Sequence, residues 1–229
     1  MSSSTLHYSS ITKKIIMALA GLFLITFLFV HLGLNLTVLL PAGETYETNQ
    51  IFNIAAHFMG TNILIKIFEV VLFGGFLIHI LYGLILQIQN WLARPKRYKV
   101  EGWSHTSVFS KFMIHTGALI FIFLVIHLMD FYFKAKFFGE IDPVFYDGKE
   151  YHDMGALVVE KFQYLGFVIG YIVVLIFLGF HLHHAFQSAF QSLGLNHSKY
   201  TPFIKGVSTI ISIILPVGYA IIPLTIYFS

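Results

Sequence analysis

The chain has 229 residues, of which 57% are hydrophobic and only 11% charged, with a mean hydropathy of +0.78. A soluble domain has roughly a quarter of its residues charged, so this composition excludes one and points to an integral membrane protein. The formal charge of +3 is too small to imply a nucleic-acid partner, and the absence of cysteine excludes disulfides, thiolate-bound zinc, Cys-ligated iron–sulfur clusters and haem attached through C-x-x-C-H. Histidine, with 12 copies, remains as the soft-metal ligand in quantity.

A hydrocarbon core about 30 Å thick needs about 20 apolar residues in helical form. Five stretches qualify, at 15–40, 62–92, 110–133, 162–192 and 203–228, which predicts an all-α membrane protein, a five-transmembrane-helix bundle forming one domain over 1–229. The first run continues past the length of a signal peptide's apolar region and no small-residue cleavage site follows it, so it is expected to stay as a helix. It carries His31 and is preceded by Ser9, Ser10, Lys13 and Lys14. A polar loop with Pro41, Gly43, Glu44 and Glu47 leads past His57 to the second span, which holds Glu69, Gly75, His79, Tyr82, Gly83, Gln87 and Trp91. A basic loop with Arg94, Pro95, Lys96, Arg97 and Lys99 precedes the third span, with His115, His127 and Asp130. An acidic loop from Lys134 to Lys161 separates it from the fourth, with Gly170, His181, His183 and His184, and a turn around Gly194 to Pro202 precedes the fifth.

Five crossings put the termini on opposite sides. With the N-terminus inside, the cytoplasmic side holds Lys13, Lys14, Arg94, Lys96, Arg97, Lys99, Lys111, Lys199 and Lys205, against five basic residues outside, which favours a cytoplasmic N-terminus.

An unpartnered imidazole in an apolar span is costly and marks function. At 1.5 Å per residue, His31 lies about 14 Å and His127 about 10 Å from the outer ends of their spans, whereas His79 and His181 lie about 25 and 28 Å deep. Depth therefore predicts two pairs, outer His31–His127 and inner His79–His181. Two facing imidazoles without a carboxylate or thiolate suit bis-histidine haem iron, which is electron-transfer chemistry. Gly75, His79 and Gly83 share one helix face, as do Gly170 and His181, where missing side chains would admit a flat macrocycle; tight helix packing produces the same spacing.

The string His181-Leu-His-His superficially looks like one box of a membrane di-iron desaturase, but such enzymes need several, and helix geometry leaves open which of His181, His183 and His184 is the ligand. His115, Ser10 and Lys14, with Ser9, Lys13, Tyr82, Gln87 and Trp91, are candidates for haem propionates or a quinone carbonyl, although aromatic belts and basic flanks give the same pattern without a ligand. His57 and Glu69 are candidates for quinone or proton handling. Glu69 and Asp130 could equally pair with Lys66 or Lys134, and Asp130 is expected to be structural. His7, His105, His152 and His197 are expected to be solvated.

The stretches Phe-Val-His31-Leu-Gly-Leu-Asn35, Asn53-Ile-Ala-Ala-His57-Phe-Met, Ile-His79-Ile-Leu-Tyr82-Gly83, Thr116-Gly117 followed by Val-Ile-His127-Leu, and Gly179-Phe-His181-Leu-His-His-Ala-Phe-Gln-Ser together resemble a known family. It is the single-chain, five-helix, two-haem cytochrome b (b558-type) anchor of succinate dehydrogenases and fumarate reductases. The resemblance implies that His31, His79, His127 and His181 are the four axial ligands of two haem b groups, and it selects His181 from its cluster. It further implies a bacterial cytoplasmic membrane, a flavoprotein subunit with FAD, an iron–sulfur subunit, and a quinone, with menaquinone expected. The chain itself would hold no dehydrogenase site and serve as an electron-transfer subunit. Two departures are His115, where a relative has an arginine before the Thr-Gly pair, and Lys13 and Lys14 in place of an arginine-rich flank. The alternatives are a cytochrome b anchor of a hydrogenase or formate dehydrogenase, an ascorbate-reducible transmembrane cytochrome, and a haem-free di-iron enzyme or metal transporter.

Overall fold

A computed structural model describes residues 10–41, 49–92, 112–139 and 141–229. Helix α1, Ser10–Leu36, runs into a 3-10 turn, Thr37–Leu39, and stops at Leu40, which is extended (φ −68°, ψ 129°) as Pro41 after it requires. Helix α2, Gln50–Thr61, and helix α3, Ile63–Leu92, are separated by Asn62 alone. Asn62 is extended, and its side-chain oxygen accepts from the backbone N–H groups of Leu64 and Ile65, capping α3. Helix α4, Met113–His127, continues as two π-helical segments, Leu128–Tyr132 and Lys134–Phe138, and ends at Gly139 with φ 62°. The hairpin β1, Pro143–Tyr146, and β2, Lys149–His152, turns at Asp147-Gly148, both with positive φ. Helix α5, Met154–Phe162, is capped by Asp153, whose carboxylate accepts from Ala156 N. Helices α6, Leu165–Ser192, and α7, Thr201–Phe228, complete the chain.

Five helices are long and apolar enough to span a bilayer, so the molecule is a multi-pass, all-α membrane bundle. The third span ends later than its sequence pattern predicts, because π-helical turns carry it to Phe138. The segments read as loops before the second and fourth spans contain α2, the hairpin and α5. These short elements are amphipathic and are held by long-range contacts. Asn53, fully buried, donates to Tyr146 Oη (2.9 Å) and Asp153 Oδ1 (2.9 Å) and accepts from Gly155 N (2.8 Å). One side chain thereby fastens α2, the hairpin and α5 into a cap over one end of the bundle.

Below the cap, α1 packs on α3 and α6, and α4 packs on α6, while α3 and α4 meet only lightly. The four helices therefore form a ring in the order α1, α3, α4, α6, with α7 lying outside against α6 and α1. The core follows α1, α6 and α7 through Ile25, Leu32, Val168, Leu182, Phe186, Leu215 and Ile222. Lipid is as apolar as leucine, so packing and interhelical hydrogen bonds hold these helices, at about 0.6–1.7 kcal/mol per bond. Tyr219 Oη donates to Leu28 O (2.7 Å), and Ser208 Oγ to His183 O (2.6 Å). Gly179 lets α6 meet α7, since a Cβ there would lie 2.9 Å from Ser212 O. Helix α3 has no buried residue and presents Val70, Leu77 and Leu81 outward, the all-round apolar surface of a lipid-facing helix.

Candidate functional site: two histidine pairs

The ring brings the four span histidines together along its diagonals. His31 of α1 faces His127 of α4 with ring centroids 5.8 Å apart and planes at 88°. His79 of α3 faces His181 of α6 at 6.3 Å and 74°. His31 and His127 lie near the cap, whereas His79 and His181 lie more than four turns below the starts of α3 and α6. The pairing and the two depths match the reading from the spans.

A metal–imidazole bond of about 2 Å on each side, plus about 1 Å from nitrogen to ring centre, places trans imidazoles about 6 Å apart between centroids. Both pairs have that spacing. Among the described residues no group of three or more His, Cys, Asp or Glu is placed to hold a metal.

The ring nitrogens are partly assigned by their neighbours. Thr116 Oγ1 has one proton, which it donates to Met113 O at 3.0 Å, and it lies 3.4 Å from His181 Nδ1. While it donates to Met113 O the hydroxyl can only accept from His181, an arrangement that suits the tautomer with the proton on Nδ1 and the lone pair on Nε2. His79 Nδ1 is buried without a hydrogen-bond partner among the described residues, with the Met17 backbone near the ring. A buried polar atom left this way calls for a partner. In the other pair, His127 Nδ1 lies 3.1 Å from Tyr171 Oη.

The surroundings of the two pairs differ. Phe27 stacks on His31 (5.1 Å) and Phe123 on His127 (5.6 Å), each one helical turn earlier on the same helix, and Phe131 and Tyr219 close the sides. Small residues flank the deeper pair. A Cβ on Gly21 would lie 3.3 Å from His79 Cε1, and one on Gly117 3.8 Å from His181 Cε1. The glycines singled out by spacing are placed otherwise: Gly75 admits Phe23, at 3.2 Å from a Cβ, so it serves helix packing, and Gly83 and Gly170 face open space.

Glu69 accepts hydrogen bonds from Tyr132 and Lys136, the latter at 2.6 Å to Oε2. Asp130 pairs with Lys161 of α5 at 2.7 Å. Besides Lys66, which remains an electrostatic neighbour of Glu69, the π-helical turns after His127 and the cap helix thus bring up two cations that spacing did not single out. His57 lies exposed on α2 with its ring edge-on to Tyr151 (5.0 Å).

At the other end of the bundle, Lys14 of α1 and His115 of α4 are exposed, His115 beside Phe112. Ser10 begins α1. Tyr82 and Gln87 are half-buried and Trp91 is exposed on the last turns of α3. His183 contacts Gln187 and Thr209, which makes it part of the α6–α7 seam, and His184 is half-buried beside it. His152 is exposed on β2, and His197 contacts Lys199 N in the turn. His7, Ser9, His105, the loop from Arg94 to Lys99 and the residues from Gly43 to Glu47 lie outside the described residues.

Tyr171, Thr116 and Gly21 are the neighbours of the pairs that spacing did not single out for these contacts. Each acts across to another helix, so only the rotation of one helix against the next reveals it. No family model, curated protein or solved structure matches the chain.

Proposed function

We propose that the chain is a di-haem cytochrome b anchor of a succinate:quinone oxidoreductase, carrying electrons between an iron–sulfur subunit and a membrane quinone. The observation that carries this reading is the pair of diagonal imidazole contacts, 5.8 and 6.3 Å between centroids, at two depths of one membrane bundle. His31 and His127 would hold one haem b and His79 and His181 the other. When bound, each bis-imidazole haem supplies one-electron transfer with no open position for oxygen.

The remaining groups have roles that follow from their places. Thr116 keeps the His181 proton on Nδ1, so Nε2 is the donor, and the rings of Phe27 and Phe123 exclude water from the pair beneath the cap. The far end of the bundle, with Lys14, Ser10 and His115, is the cytoplasmic side in this reading and meets propionates or the iron–sulfur subunit, whose own partner is the FAD-containing flavoprotein. At the cap end, Glu69 with Tyr132 and Lys136 offers a proton-exchanging carboxylate between α3 and α4, the ring's lightest contact and the place where a lipid-soluble quinone would reach it. His57 on the cap is the second candidate for that role. The membrane is that of a bacterial cytoplasm, with the N-terminus inside. Electrons crossing between the two depths would feel the membrane potential, about 2.3 kcal/mol per charge per 100 mV.

The test is to purify the complex through this chain and measure pyridine haemochrome, succinate oxidation and menaquinone reduction. About two haem b per chain and a co-purifying succinate-oxidising flavoprotein are expected. Zero haem overturns the cytochrome reading, and haem with a different dehydrogenase moves the chain to another respiratory complex.

A further inference from the structure

Tyr171 belongs to α6, yet its hydroxyl lies 3.1 Å from Nδ1 of His127 on α4. Its ring is fixed edge-on by Phe123 of α4 (4.8 Å) and by Phe162 of α5 (4.9 Å), with Phe167 a turn earlier on its own helix (6.4 Å). Phe162 is itself buried in the core under the cap. The phenol is therefore held by three helices in the one position where it reaches the remote nitrogen of His127. Asp130, paired with Lys161, is the charged neighbour of this phenol. In the deeper pair no phenol is placed this way among the described residues: His181 Nδ1 lies 3.4 Å from the Thr116 hydroxyl, and His79 Nδ1 has the Met17 backbone near it but no hydrogen bond of standard geometry among the described residues.

We propose that Tyr171 is a positioning residue for His127, fixing the plane of its ring and its donor strength, so that the two layers differ in electron affinity. The proposal rests on the reading of His127 as a haem ligand through Nε2. In that state Nδ1 carries the proton and donates it to the phenol oxygen. An acceptor on the remote N–H makes an imidazole more basic, which stabilises the more positive, oxidised metal. Tyr171 thus lowers the potential of the haem under the cap, and the long Thr116 contact does less for the other.

The experiment uses the whole complex with Tyr171→Phe, and reads the potential and low-spin ferric resonance of each haem by spectroelectrochemistry and electron paramagnetic resonance. The haem under the cap is first identified as the one missing from His127→Ala. In Tyr171→Phe, with two haems retained, that component should become easier to reduce, its oxidised-to-reduced ratio at fixed potential falling about three- to tenfold, or about 30–60 mV for one electron. Thr116→Val should shift the other component by less. Selective loss of the haem under the cap from Tyr171→Phe also supports positioning. Two unshifted haems, or equal shifts of both, overturn the proposal and leave the haem reading intact. Absence of haem from the unaltered complex overturns the reading beneath it instead.

Discussion

Gly21 of α1 backs directly onto the His79 ring of α3, so that a Cβ at residue 21 would stand 3.3 Å from His79 Cε1. The contact sets the distance between these helices at the depth of the pair farther from the cap, and it leaves no slack for a branched side chain. Gly21→Val is expected to overpack this point, at about 1–3 kcal/mol, and to push His79 away from His181. On the proposed di-haem reading, haem should fall from about two towards one per chain, read by pyridine haemochrome. Gly33→Val on the same helix has open space and should keep both.

The diagonal pairing predicts which substitutions act alike. On the proposed reading, His31→Ala and His127→Ala remove opposite halves of one facing pair and should delete the same haem component, while His79→Ala and His181→Ala should delete the other. Redox titration of the four variants checks this. Loss of one common component from all four would refute the pairing, and retention of both in His181→Ala would return the choice to His183 or His184.

The spans were legible because twenty apolar residues in a row have one stable form in lipid, and the depth pairing followed because a helix rises by a fixed amount per residue. The cap was not. Residues such as Asn53 and Asp153 lie far apart in sequence and are polar, so they read as loops until folding buries them together. The histidine neighbours were hidden for a related reason. Spacing on one helix places Gly75 and His79 on the same face, but the helix opposite decides that Phe23 fills the first and Gly21 meets the second. The hydrogen-bonded cations of Glu69 and Asp130 were hidden too, because Lys136 lies on the π-helical continuation of α4, while Lys161 arrives on α5, an element with no long apolar run to announce it.

Asn53 is the keystone of the cap by its hydrogen bonds, not by its volume. Asn53→Ala removes the acceptor of Gly155 N, a cost of about 1–3 kcal/mol for a buried unsatisfied group, together with one bond to Tyr146 Oη. The expected result is local opening of the cap with the spans intact. Hydrogen exchange should accelerate in α2, the hairpin and α5, and proteolysis between β2 and α5 should speed up, while exchange in α6 and α7 is unchanged. Uniform protection across the cap would show that Phe52, Val158 and Phe162 hold it without Asn53.

The Asp130–Lys161 pair joins α4 to the cap with both side chains mostly covered, at 17% and 19% exposure. Its ammonium also sits 4.8 Å from the Phe167 ring centre. Exposed ion pairs contribute about 0–1 kcal/mol, whereas breaking a buried one by removing a single partner costs about 3–5 kcal/mol, so this half-covered pair belongs between. Lys161→Met should destabilise the bundle by about 1–3 kcal/mol, because Asp130 loses its ion-pair partner in a place that water reaches poorly. Asp130→Asn should cost less, since Lys161 has a flexible stem that carries its charge to the surface. The double variant should recover part of the Lys161→Met loss, as removing both charges also removes the stranded carboxylate. Melting temperatures of the four proteins in one detergent close the cycle. If the two single losses simply add, the pair has no coupling and the cap is held to the bundle through contacts such as Phe162 of α5 on Tyr171 of α6.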